Sequence, residues 1–388
     1  MGTPYHEELD REVAELMRRV RRVILLLIVV LLIQPGCDDR TDLEDISLLL
    51  MLGIDLDKDN NLVFYSSSPV FNKEAKEKNE QSKVYSQTVR GARNELDARV
   101  SALISSGKVQ SILVGSRVLE HEGWLKMLDI CFRDSKSNIL AKVIAVDGPV
   151  EDIMFFKPLN KRRLPLHVAT LIDTAKERNL ISATTLHNLH TQIYEKGITP
   201  YLPQLRKNVE IVATGTALLN KKGKYVAKLN TRENQLLLLL QGGIEGSLSY
   251  SVQLPEESKD DLFSEGVVTF YIMHFTRKVK VTYSQDQFHF DVALNLPIFM
   301  TEKLFTLDVD KEGKKLEEMI TTQLDKQFKE LIDKFQKHEI DPIGLGLFAR
   351  AHQYEAWKKV DDRWGEAFAK AEVNVHVNTQ LKDAGEVR

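Results

Sequence analysis

The sequence predicts an α+β chain with mixed and antiparallel sheets, packed helices and more than one domain. Three observations carry that expectation. Residues 267–283 and 288–296 read as long strands, and in the second Phe288, Phe290, Val292, Leu294 and Leu296 alternate with His289, Asp291, Ala293 and Asn295. Leu316, Ile320, Leu324, Phe328, Leu331 and Phe335 then recur at three- and four-residue steps, the stripe of one long helix. The first half mixes strands and helices without a regular βαβ repeat, and no internal period is visible.

A chain of 388 residues has room for two to three domains. With 43% hydrophobic and 28% charged residues it is a folded body, neither a disordered chain nor a polytopic membrane protein. Its 53 Lys and Arg against 56 Asp and Glu leave a formal charge of −3, with no basic excess for wrapping nucleic acid. Two cysteines cannot build a disulfide framework.

The chain opens on a signal. Val23 to Ile33 is an unbroken apolar run, too short for a comfortable bilayer span of roughly 17–25 residues and suited to the apolar centre of an export signal. Arg18, Arg19, Arg21 and Arg22 form the basic segment before it. Upstream, Glu7, Glu8, Asp10, Glu12 and Glu15 are foreign to such a segment: either the natural start is Met17 or the basic segment is long. Gln34, Pro35 and Gly36 end the run and Cys37 follows. Gly36-Cys37 resembles a bacterial lipobox, although Gln34 stands where Leu is usual and Pro35 is uncommon there. Cys37 is therefore the expected lipidation site, its sulfur carrying a diacylglyceryl thioether. Stable attachment takes about two acyl chains, the number this group supplies. Residues 1–36 are read as the signal, 37–205 as an N-terminal α+β region and 206–388 as a C-terminal α+β domain.

Along the mature chain, 46–54 reads as a buried strand, 55–61 as a turn and 62–70 as its hairpin partner. Residues 72–83 read as a charged loop. Val89, Ala92, Leu96, Val100, Leu103 and Ile104 have helical spacing. Strands are expected at 109–114 and 140–146, a helix at 124–132 and helical pattern over 153–194, broken around Pro158 to Pro165. The pattern changes at Pro200 and Pro203. Residues 209–219 read as strand, 220–224 as a turn, and Leu236 to Leu240 as the centre of a buried helix. Asp341-Pro342 ends the long helix, 354–369 reads as another, and Val373, Val375 and Val377 alternate as a closing strand.

A search for chemistry returns little. Asp55, Asp57 and Asp59 alternate like a calcium loop, but Asn60 and Ser66 stand where that loop needs Gly and Glu, so a hairpin turn is the better reading. His187 and His190 lack a third ligand, and His121-Glu122 lacks the second His of a zinc protease. Gly115-Ser116 lacks the second glycine of a nucleophile elbow. Cys131, between Ile130 and Phe132, reads as a buried structural thiol. Trp357 and Trp364 lie seven apart on one helix face, as core or as an exposed anchor. No catalytic residue, metal site or cofactor is expected.

Several segments, taken in order, resemble the spore germination C-subunit lipoproteins, the Ger(x)C family. They are Gly36-Cys37-Asp38-Asp39-Arg40, Leu52-Gly53-Ile54-Asp55, Phe132-Arg133-Asp134, and Asp341-Pro342-Ile343-Gly344-Leu345-Gly346. The aromatic helix with Trp357, Trp364 and Phe368 and the closing strand complete the series, and Asp38 departs from the family's Trp. The resemblance implies a three-domain α+β fold and a palmitate-bearing lipoprotein on the outer face of the spore inner membrane. It implies a non-enzymatic subunit of a nutrient germinant receptor, beside integral membrane A and B subunits. A lipid-anchored solute-binding protein of a transporter is the alternative.

Overall fold

In the computed structural model, residues 5–32, 46–71, 75–99, 103–255, 266–303 and 309–383 are described. The chain divides into two compact units, 1–46 and 47–388. In the first, α1 (Tyr5–Leu32) joins the acidic stretch, the arginines and most of the apolar run in one helix. Its side chains from Val23 to Val29 are exposed. Among the described residues no helix is long and apolar enough to cross a membrane. Cys37 lies outside the described residues.

From residue 46 onward come β1 (Ile46–Leu48), β2 (Met51–Leu56) and β3 (Leu62–Pro69). The expected hairpin is formed by β2 and β3. Its turn is held by the Asp57 carboxylate, which accepts from the Asp59 and Asn61 amides at 2.9 and 2.8 Å. Next come β4 (Asn79–Tyr85), α2 (Val89–Asp97), β5 (Leu103–Ser105), β6 (Ser111–Gly115) and α3 (Ser116–Leu119). Two expectations change here. From Asn79 onward the supposed loop is an edge strand on β3, whose hydrogen bonds a polar sequence supplies as well as an apolar one. The helical stripe stops at Asp97, and Ile104 lies in β5, which pairs with β1.

A 3-10 turn (Trp124–Leu128) leads into α4 (Asp129–Arg133), β7 (Lys142–Val146), α5 (Val150–Met154), α6 (Leu164–Glu177), α7 (Leu186–Tyr194), β8 (Tyr201–Lys207), β9 (Ile211–Leu219) and β10 (Tyr225–Leu229). One eight-stranded sheet results, in the order β10-β9-β8-β7-β6-β2-β3-β4. Its centre, β2, β6, β7 and β8, is parallel. A wound parallel core was not expected. Its strands are covered on both faces and so read as continuous apolar runs without alternation. On one face α5 and α6 bury Met51, Leu113 and Ile144 against Val168 and Ile172. On the other, α2, α3 and α7 bury Leu52, Ile112 and Val143 against Leu96 and Leu189.

The C-terminal part starts with α8 (Thr231–Gln241), closed by a capping box between Asn230 and Glu233. Leu236 to Leu240 are buried, as expected. Four strands follow, β11 (Leu248–Gln253), β12 (Val267–Ile272), β13 (Thr276–Ser284) and β14 (Gln287–Lys303). The tight turn at Gln285 and Asp286, both at positive φ, joins β13 to β14. The expected long strand is divided into β12 and β13. The gap lies opposite Pro297 of β14, which has no amide to donate. Beyond it lie α9 (Val309–Lys337), α10 (Leu345–His352), α11 (Tyr354–Lys358), α12 (Trp364–Lys370) and β15 (Glu372–Asp383). The apolar stripe of α9 is buried along its whole length. The closing strand β15 runs parallel to β14. The helix expected over 354–369 is two short ones around a 3-10 turn at Asp361–Arg363, and α10 was not expected at all.

Candidate functional site

An open cleft of about 490 Å³ lies at the carboxyl ends of the parallel strands. Its walls come from the residues just after β2 (Asp57, Lys58), just after β6 (Ser116, Arg117) and just before and within α5 (Gly148, Pro149, Glu151, Asp152). The chain leaves β2 toward β3 on one side and leaves β6 toward β7 on the other. Such a divergence opens a crevice beyond the strand ends, the usual ligand position in wound sheets. Arg117 spans it, its Nη1 donating to the Asp57 carbonyl at 2.7 Å.

Asp55 closes the floor at 6% exposure. Its carboxylate accepts from the Leu56 and Val150 amides, each at 2.8 Å. Burial pushes its pKa up, opposed by those two hydrogen bonds and by Arg117. Gly115 runs directly under this carboxylate, where any Cβ would overlap Asp55 Oδ1. On the wall, Glu151 accepts from Lys83 at 2.8 Å and from the Tyr65 hydroxyl at 3.2 Å. The Lys83 bond holds the Glu151 carboxyl below its ordinary range. Burial and the neighbouring Glu151 push the Tyr65 phenol up. Cations and carboxylates thus alternate around one open space. Such a lining can hold a small polar solute. The described lining residues include no His or Cys to act as a neutral-pH base or nucleophile.

A second polar centre is closed. Asp341 is fully buried, and its carboxylate accepts from the Gly344 and Gly346 amides at 2.8 Å each and from Trp364 Nε1 at 2.9 Å. Its carbonyl accepts from the Thr199 amide at 2.9 Å, tying the strand-entry loop of β8 to the C-terminal helices. Gly344 sits at φ +82°, and a Cβ on Gly346 would stand 2.6 Å from Gly197 Cα and 2.7 Å from the Trp364 ring. The Asp-x-x-Gly-x-Gly segment is thereby explained as a backbone knot between the two halves of the body.

The other residues singled out in the sequence fall apart from both centres. Asp57 organises the hairpin turn and does not assemble a calcium loop. His190 stacks between Phe132 and Tyr194, at 4.7 and 4.4 Å. Among the described residues no group of His, Cys, Asp and Glu could hold a metal ion. Cys131 lines a small apolar cavity of about 70 Å³ under α2, and burial pushes its thiol up to about 11. Trp357 and Trp364 are both buried in the core, which removes the exposed-anchor reading. Sequence reasoning passed over Tyr65, Lys83 and Glu151, which come from three separate elements. The one available signal was Asp55, a carboxylate ending an apolar strand.

Comparison with known proteins gives a consistent result. Residues 39–207 match the family described as spore germination protein N-terminal domain. Residues 214–385 match spore germination B3/GerAC like, C-terminal. Spore germination protein GerQC of Bacillus cereus is 22% identical over 372 residues, covering 94% of this chain and 99% of that protein. Spore germination protein A3 of Bacillus subtilis (strain 168) is 24% identical over 379 residues, covering 93% and 97%. The crystal structure of the GerBC protein superposes with a TM-score of 0.54 at 17% identity, over 88% of this chain and all of that one.

Proposed function

We propose, from the premise that this chain belongs to the Ger(x)C family of spore germination proteins, that it is the lipid-anchored peripheral subunit of a nutrient germinant receptor. The observation that carries this reading is the extent of the likeness. Both halves of the body match in order, and relatives align over more than nine tenths of each chain. In this reading residues 1–36 direct export, and residues 37–205 and 206–388 form the body. The Cys37 thioether holds that body on the outer face of the spore inner membrane, beside integral A and B subunits. In this reading the role is non-catalytic, and the cations and carboxylates of the open cleft serve recognition.

The test is purification of the tagged chain from dormant-spore inner membranes in mild detergent, with identification of what accompanies it. Two integral membrane proteins in comparable amounts are expected. A permease pair with an ATPase would instead place the chain in a transporter. In parallel, Cys37→Ala should release the folded chain from membranes and impair germination; a variant fully retained and fully responsive would remove the anchor at Cys37.

A further inference from the structure

The two most exposed large apolar side chains among the described residues are Val209, at 90%, and Leu159, at 84%. They stand on neighbouring loops. Leu159 belongs to the connection from α5 to α6, which reads Phe155-Phe156-Lys157-Pro158-Leu159-Asn160-Lys161-Arg162-Arg163, and Val209 to the turn from β8 to β9. The loops are joined by the Lys161–Glu210 ion pair at 2.6 Å and by Lys207 Nζ, 5.7 Å from the Phe156 ring centre. Phe155, on the same connection, is 41% exposed.

Charge is segregated around these tips. Among the described residues, Lys157, Lys161, Arg162, Arg163 and Lys207 have Glu210 and Glu77 as ion-pair partners, a net of three positive charges on a chain whose total is −3. No ion pair engages Arg162 or Arg163 among the described residues. Apolar loop tips ringed by basic side chains suit an anionic lipid surface, which takes up apolar side chains and attracts cations at the same place. A protein partner would instead bury a contiguous face.

We infer that the paired loops 155–163 and 207–210 dock onto an anionic lipid surface, with Leu159 and Val209 entering the headgroup layer and the basic side chains pairing with lipid phosphates. This rests on the reading that the chain is held at a membrane, and gives the body a second, orienting contact. Each basic side chain near an anionic leaflet strengthens attachment roughly fivefold, so losing two weakens it roughly 25-fold.

The test is amide hydrogen exchange of the full chain on phosphatidylcholine vesicles with and without phosphatidylglycerol. A carboxyl-terminal histidine tag on a nickel-chelating lipid holds the chain there, so the loops are read whether or not Cys37 is lipidated. Because the tag supplies the tether, failure of the Cys37→Ala release experiment would count against the anchor and leave this readout untouched. Slowed exchange at 155–163 and 207–210, only on the anionic vesicles, is expected. The protection should vanish in high salt and in an Arg162→Gln, Arg163→Gln double variant, with exchange in β6 and β14 unchanged. Equal exchange on both vesicle types overturns the inference. Protection that appears only when integral partner subunits are added overturns it too, in favour of an acidic protein surface.

Discussion

Asp55 and Asp341 are both buried carboxylates held by backbone amides, yet one edges an open cleft and the other is sealed in a knot. The surroundings account for the contrast. Asp55 lies at the carboxyl end of a parallel strand, where connections leave in opposite directions and a cleft stays open between them. Asp341 follows α9, where α10, α12 and the loop before β8 converge on it from three sides. The same side chain therefore serves to shape an open crevice in one place and to lock two halves together in the other.

That contrast is most sharply broken by truncating each carboxylate. Asp341→Ala strands two amides and the Trp364 indole in a dry site, and should cost about 3–5 kcal/mol in denaturant unfolding. Asp55→Ala should cost only about 1–2 kcal/mol, because water from the cleft reaches the freed amides. Equal losses would erase the distinction between open and closed. Next in size, Gly346→Ala drives a methyl into Gly197 and Trp364 and should destabilise by about 2–4 kcal/mol. Gly344→Ala, opposed only by its positive φ, should lose about 1–2 kcal/mol. Unchanged thermal unfolding in both would remove the knot as a source of stability.

Smaller effects separate the charges within the cleft. The raised pKa of Asp55 means that the folded state binds its proton more tightly than the unfolded chain does. Wild type should therefore gain on Asp55→Asn as pH falls through the folded value toward the ordinary 3.8. Glu151 has the opposite sign: its contribution is complete above the ordinary 4.5 and is lost as pH falls through its lowered value. The gap between wild type and Glu151→Gln should accordingly close in acid, as thermal melts across that range would show. Least of all, Cys131 should resist alkylation near neutral pH until the chain is unfolded, since burial pushes its thiol up to about 11. Fast labelling of the folded chain would mean that the cavity beneath α2 opens.

The two halves were legible to different degrees. The period of two in β14 and the stripe of α9 appear in the sequence because each element has one wet and one dry face. The strands β6 and β7 are dry on both faces, so their sequences named strands but not their parallel partners. Short elements were missed or merged where a single contact decides them. The break between β12 and β13 lies opposite Pro297 of another strand, and α10 is capped by a glycine whose amide is taken by Asp341.

The order of segments along the chain settled the family and the α+β class, because both are written in local pattern and spacing. Tertiary structure alone decided that Tyr65, Lys83 and Glu151 meet over Asp55, and that Gly346 touches Gly197. Those contacts join residues far apart in sequence, and no local period encodes which distant backbone will arrive beside a given carboxylate.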